Sequence, residues 1–343
     1  MNGRRRHVFL THGGSRIGLG HVRRCLALAG SLSVRGEAIT FVVSPDETVR
    51  RLVESGGFEV TEVAWEADFP SAVRSVREIG ADTVVVDSYA ATAPLFEALG
   101  AAVDQVVAVD DLADRPLPVD VVVNGGVGAQ SLRYRFSETR LLLLGPDYAL
   151  VAAEYAEAPV RRAHDRIERV LVVLGGGVHT ETLRTALSAA DAALEGVVVE
   201  VVAGPYAGTA AVADGALRGP GNRAVIHGPV SDLRPLILKA DVAVSGSGMT
   251  LYELAATATP SVMVLTASNQ SLNARGFEQA GAALFGGAWD SHDLESALEC
   301  RLRELAHDPQ LRARLGSSAR RLVDGQGAAR VARELAGTPS ARR

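Results

Sequence analysis

Short apolar runs rich in valine and isoleucine alternate with helical stretches along this chain, and the alternation comes in two blocks. In the first, residues 7–11, 39–43, 83–87, 105–110 and 119–124 predict strands, with helices over 22–34 and 45–54. In the second, residues 170–174, 198–203, 224–227, 242–245, 261–265 and 283–285 predict strands. Helices over 180–194, 230–238, 250–256 and 271–280 fit between them. Strands that are apolar throughout predict parallel sheets covered on both faces. The chain therefore reads as α/β, with two Rossmann-like, doubly wound domains. Residues 125–165 break the pattern with Gly145-Pro146 and little periodicity. This places an N-terminal domain at 1–150 and a C-terminal domain at 165–325. Helices over 291–306 and 308–323 close the second domain, and a last helix within 326–343 is expected to cross back to the first.

Composition narrows the partners. A chain of 343 residues is long enough for two cores, and its formal charge of −5 argues against a nucleic-acid surface. Two cysteines, Cys25 and Cys300, give neither a disulfide framework nor a metal site. His12, His164, His179, His292 and His307 lack metal-ligand spacing, so no metal and no cofactor is expected. No run approaches 18 apolar residues, which predicts no membrane span, and the arginines at 4–6 precede a strand rather than a signal-peptide core. The expected location is cytoplasmic.

Three glycine-rich turns carry the candidate chemistry. The first, Gly13 to Gly20, ends a predicted strand and leads into a helix with His21 at its start. Gly18 and Gly20 let backbone approach a ligand closely, and a helix N-terminus attracts anions. That positive end disfavours an imidazolium, so a neutral His21 is expected to act as a base; the competing role is a plain helix cap. Arg24 lies one turn on and contacts a phosphate, fixes an acidic partner, or is a solvated surface arginine. The second turn, Gly175, Gly176 and Gly177, stands in a phosphate-cradle position, or is only a tight strand–helix turn. The third runs through Ser247, Gly248, Met249 and Thr250, whose N–H and O–H groups suit a diphosphate, with Glu253 one helical turn further on. Asp87, Asp110 and Asp111 end first-domain strands, the edge where doubly wound folds bind ligands.

An ordered series of motifs resembles one family. Ile17-Gly-Leu-Gly-His21 with the following helix, Val86-Asp-Ser-Tyr89, Asp110-Asp-Leu-Ala113 with Arg115-Pro116, Leu144-Gly-Pro-Asp-Tyr-Ala-Leu150, Ser245 to Leu254, and Asn269-Gln270 occur in register. They resemble the UDP-sugar hydrolases of pseudaminic acid biosynthesis and their spore-coat polysaccharide relatives. That family is similar in fold to the lipid II-forming N-acetylglucosaminyltransferase. The resemblance implies a GT-B architecture with a nucleotide sugar, UDP-linked, in an interdomain cleft, and metal-independent cleavage by water. It also implies His21 as base and Glu253 on the ribose. Of Asp87, Asp110 and Asp111, one orients water or a sugar hydroxyl or else partners a basic residue, and Asp110 is equally placed to cap a helix. Tyr148 either stacks on the sugar or lies buried. His227-Gly228 either reads the base edge or is an ordinary turn. Asn269 and Gln270 bind sugar or diphosphate, or cap a helix. The chain departs from the family at Leu10 and His12, where arginine and aspartate are usual, and at Val178 and His179, where an acidic residue is usual. Three functions follow: hydrolysis of a nucleotide sugar, transfer of its sugar to a small-molecule or lipid acceptor, and binding without catalysis.

Overall fold

A computed structural model describes residues 4–134, 141–159, 165–176, 180–207 and 217–337. The chain divides into two compact units. Residues 1–14, 19–153 and 326–343 form the first, and residues 15–18 and 154–325 the second.

The first unit is built on a seven-stranded parallel sheet of order β3-β2-β1-β4-β5-β6-β7. Its strands are β1 Arg6–Thr11, β2 Ala38–Val43, β3 Glu59–Glu62, β4 Thr83–Asp87, β5 Gln105–Val109, β6 Val121–Asn124 and β7 Leu141–Leu144. Helices α1 Gly20–Val34, α2 Glu47–Ser55, α3 Phe69–Ile79 and α4 Ala93–Gly100 supply the crossovers. Their starts are chemically marked. Asp46 caps α2 by accepting from the Thr48 and Val49 N–H groups, and Asp68 caps α3 through the Ser71 N–H. The central strands β4, β5 and β6 are buried at every residue, and Val84, Val86, Val106 and Val122 pack with Phe96 and Trp65 into one core. Two strands of this sheet had no sequence signal. Strand β3 is a half-exposed edge reading Glu-Val-Thr-Glu, and β7 lies inside the stretch without periodicity.

A one-turn helix α5, Ala153–Ala156, opens the second unit. Its six-stranded parallel sheet has the order β10-β9-β8-β11-β12-β13. The strands are β8 Arg169–Val173, β9 Val198–Val202, β10 Arg223–His227, β11 Val242–Gly246, β12 Ser261–Leu265 and β13 Leu284–Ala288. Helices α6 Thr180–Ala193, α7 Arg234–Lys239, α8 Met249–Ala256, α9 Ser271–Gln279, α10 Leu294–His307 and α11 Pro309–Leu322 surround it. Helix α7 begins four residues later than its apolar pattern suggests, because Pro235 suits a first helical turn and not an interior. The last helix, α12 Gly327–Gly337, belongs to the first unit and packs on α1. Gly327 lies against Ala149 with no room for a side chain.

Candidate functional site

Strand order places the first site. β1 lies between β2 and β4, so consecutive connections leave it on opposite sides, the switch point where a parallel sheet opens a crevice beyond its carboxyl ends. Thr11 ends β1 directly beside Asp87 at the end of β4. The glycine turn follows Thr11, with Gly18 at φ +73°, a backbone state that glycine adopts without a Cβ clash. It delivers His21 to the second position of α1.

His21 and Arg24, one turn apart, both reach the fully buried Asp87. His21 Nδ1 donates to Asp87 Oδ1 at 2.6 Å. Arg24 donates from Nε to Oδ2 and from Nη2 to Oδ1, each at 2.6 Å. Cys25 Sγ adds a contact to Oδ2 at 3.5 Å. Arg24 Nη1 donates to Asp111 Oδ1 at 2.7 Å, and Tyr89 Oη donates to Asp111 Oδ2 at 2.6 Å. The Tyr89 ring stands edge-on to His21 with centroids 4.7 Å apart. Burial alone raises a carboxyl's proton affinity, but the Arg24 guanidinium and His21 outweigh it and hold Asp87 well below the usual carboxylate range. Asp111 is lowered in the same way, against burial, by Arg24. Burial works against the Arg24 charge, yet Asp111 and Asp87 push its proton affinity up further. The Cys25 thiol, raised by burial and by Asp87, stays protonated.

This geometry assigns roles. Because Asp87 accepts from Nδ1, the lone pair of a neutral His21 sits on Nε2, the form a general base needs. Arg24 spends Nε and Nη2 on Asp87 and Nη1 on Asp111. Asp111, rather than Asp110, completes the network. Asp110 Oδ2 instead accepts from the Leu112 and Ala113 N–H groups at 3.0 and 2.7 Å and from Tyr134 Oη at 3.0 Å. These bonds hold Ala113 at φ +52°, a conformation unusual for alanine. Through Oδ2, Asp110 thus anchors the turn after β5. Tyr148 sits in a 3-10 helix, Pro146–Tyr148, after β7, half-buried, with its carbonyl beside Gly125.

A second imidazole adjoins the first. His12 immediately follows β1; its ring lies 5.0 Å from that of His21 and 6.1 Å from Trp65. His12 Nδ1 bonds to Glu66, whose other oxygen accepts from Ser44 Oγ at 2.7 Å. Burial lowers the proton affinity of His12, and His21 adds to this, against an opposing pull from Glu66. No local motif signals this pair, because its partners are 54 residues apart.

The second unit carries the other two glycine turns. Leu174, Gly175 and Gly176 follow β8, with Gly175 at φ +93°. A Cβ on Gly204 would meet Gly175 O at 2.9 Å, and one on Gly246 would meet Leu174 O at 2.9 Å. The ends of β8, β9 and β11 therefore close up only because these positions are glycines. Gly177, His179 and His164 lie outside the described residues. After β11, the Ser247 N–H and hydroxyl both donate to Val264 O at 3.0 Å. Ser247 thus holds the loop to β12, which corrects the expectation that its donors reach a diphosphate. Gly248 precedes α8, whose first residues, Met249 and Thr250, are half-buried, as is Glu253. Gln270 Oε1 accepts from Thr266 Oγ1 at 2.9 Å, leaving Nε2 3.2 Å from where a Gly248 Cβ would stand. Gln270 is thereby brought to the Gly248 turn, while Asn269 beside it is exposed. His227 Nε2 bonds to Glu200 Oε2 at 2.6 Å and its carbonyl accepts from the Ala203 N–H, so both are engaged within the sheet edge. Among the described residues no three His, Cys, Asp or Glu side chains cluster to hold a metal, and no helix is long and apolar enough to cross a membrane.

Comparison with known proteins agrees with the fold. The chain is 26% identical over 330 residues to the spore coat polysaccharide biosynthesis protein SpsG of Bacillus subtilis, covering 93% of this chain and 94% of that protein. It is 22% identical over 270 residues to a Helicobacter pylori protein named pseudaminic acid cytidylyltransferase and UDP-2,4-diacetamido-2,4,6-trideoxy-beta-L-altropyranose hydrolase. That match covers 77% of this chain but only 45% of the longer relative. The crystal structure of Acinetobacter baumannii MurG superposes with a TM-score of 0.65 at 18% identity, over 97% of this chain and all of that one. Residues 170–325 match the Glycosyltransferase family 28 C-terminal domain. The chain is an enzyme of GT-B fold whose second unit carries that domain.

Proposed function

We propose that this enzyme hydrolyses a nucleotide sugar, UDP-linked, breaking the bond between the sugar and the diphosphate. His21 Nε2 takes a proton from water as its oxygen attacks the anomeric carbon, and the diphosphate leaves with the bonding electron pair. Asp87 keeps Nδ1 protonated and supports the imidazolium that forms. In the second unit the N–H groups opening α8 and the Gln270 amide suit a diphosphate, and Glu253 suits the ribose. The observation that carries this reading is the His21–Asp87 bond at a sheet switch point. The Helicobacter pylori relative, named a UDP-sugar hydrolase, supports water as the acceptor.

A second reading, transfer of the sugar to another acceptor with His21 deprotonating its hydroxyl, draws support from the family 28 domain. An apolar acceptor patch favours transfer. Among the described residues, the exposed large apolar side chains Ile17, Val34, Leu142, Val225 and Trp289 come singly from five separate segments. The experiment is nucleoside diphosphate release from a panel of UDP-, GDP- and dTDP-sugars without acceptor, for wild type and His21→Ala. Release that collapses in the variant supports hydrolysis. Binding without release moves the assignment to transfer.

A further inference from the structure

The His12–Glu66 pair has no part in the water activation described above, yet it stands beside His21. His12 is 4% exposed, and its Nε2 is buried without a hydrogen-bond partner. Nδ1 is held on the other side by Glu66, with Ser88 Oγ at 3.3 Å. Glu66 is in turn tied to Ser44. Four segments at the same end of the sheet thus converge to orient one ring: the end of β1 and the turns after β2, β3 and β4. A carboxylate only accepts, so Nδ1 carries the proton and Nε2 presents a lone pair. An orphaned buried acceptor is costly, and beside the reacting imidazole a bound substrate is the partner that would satisfy it.

We propose that His12 determines substrate specificity: Nε2 accepts a hydrogen bond from one hydroxyl or amide N–H of the glycosyl group processed at His21. Glu66 is the positioning residue that fixes the accepting tautomer. This rests on the nucleotide-sugar reading above and goes beyond it by naming the class of substituent recognised. A sugar that bears a donor at the position facing His12 is preferred over its deoxy analogue. Loss of such a bond to a buried partner corresponds to a discrimination of roughly tenfold or more.

The test compares kcat/KM, with kcat and KM separated, for a UDP-sugar and its singly deoxygenated analogues at each ring position. It uses wild type, His12→Phe and Glu66→Gln. The expected result is that wild type discriminates against one analogue by about tenfold or more, and that His12→Phe brings that one ratio to within about twofold of unity while ratios at other positions persist. Glu66→Gln, whose amide can donate to Nδ1 and move the proton to Nε2, erodes the same ratio. A structural role would lower all rates together and leave the ratios intact. Nucleotide-sugar turnover with unchanged ratios in His12→Phe overturns this inference alone. Failure of the wild type to bind or cleave any nucleotide sugar overturns the proposed function and this inference with it.

Discussion

Arg24 grips Asp87 with two donors, Nε on one carboxylate oxygen and Nη2 on the other, each at 2.6 Å. His21 Nδ1 reaches the oxygen that Nη2 also holds, and the two nitrogens lie 3.1 Å apart. Both donate, so Asp87 is fixed in place by the arginine and free in only one direction, toward the imidazole. The guanidinium acts here through the carboxylate and fixes the orientation of the imidazole.

Asp87→Asn tests this arrangement. The amide keeps the shape but loses the charge, and its NH2 group faces donors. The accepting tautomer of His21 is no longer enforced, so kcat for nucleotide release is expected to fall by about 10²–10⁴-fold. The buried Arg24 charge keeps only Asp111, so stability should fall by about 3 kcal/mol. Rates and denaturant unfolding separate the two effects. A variant as active as wild type would remove Asp87 from the mechanism.

Stability against pH carries a signature from His7, remote from the chemistry. Burial, with a smaller push from Arg5, lowers its pKa from 6.5 to about 4, and neither ring nitrogen has a hydrogen-bond partner. Between those values the unfolded chain binds the proton and the folded chain does not. The stabilisation from a neutral His7 is therefore complete above the unfolded pKa and is lost as pH falls toward 4. At about 1.4 kcal/mol per unit, the loss is on the order of 3 kcal/mol. Unfolding free energies at pH 7 and pH 4 should show His7→Leu losing less than wild type by about that amount. An identical pH dependence in both proteins would refute the assignment to His7.

How far the sequence led is visible in these elements. β1, β4 and β11 were legible because each is an uninterrupted apolar run bounded by glycine or aspartate, and a buried parallel strand needs that composition. β3 was not, because an edge strand with one solvated side tolerates Glu59 and Glu62. β7, Leu141–Leu144, is apolar, but the irregular residues before it supply no alternation to place it. At the site, His21 stood out because a local motif carries it. Asp87 stood out as a strand-end aspartate, but its pairing with Arg24 and that of Glu66 with His12 did not, since the partners lie 63 and 54 residues apart and only the sheet brings them near. Asp110 and Asp111 are adjacent in sequence, and which one faces Arg24 depends on where β5 ends.

Two glycines of the second unit should respond differently to alanine. At Gly246 the new Cβ meets backbone, Leu174 O at 2.9 Å, so β8 and β11 must separate and a loss of about 1–3 kcal/mol is expected. At Gly248 the nearest atom is the end of a flexible side chain, Gln270 Nε2 at 3.2 Å. Gly248→Ala should keep its thermal midpoint within a few degrees while displacing Gln270 and weakening UDP binding, read by calorimetry. Equal binding by Gly248→Ala and wild type would place the nucleotide elsewhere.

The neighbouring aspartates give the sharpest division between scaffold and chemistry. Asp110→Ala leaves the Leu112 and Ala113 N–H groups and the Tyr134 hydroxyl without their acceptor, and releases an alanine held at positive φ. A stability loss of about 2–4 kcal/mol is expected, with kcat of the folded fraction within a fewfold of wild type. Asp111→Asn keeps size and polarity but removes one of the two charges facing Arg24 and weakens the Tyr89 tether beside His21. Its stability cost should be smaller, near 1 kcal/mol, and its kcat for nucleotide release lower by about tenfold, with KM little changed. Measuring unfolding and turnover on both variants places each on one axis or the other. If Asp110→Ala lost turnover while Asp111→Asn kept it, the site would have to be redrawn around Asp110 and Tyr134.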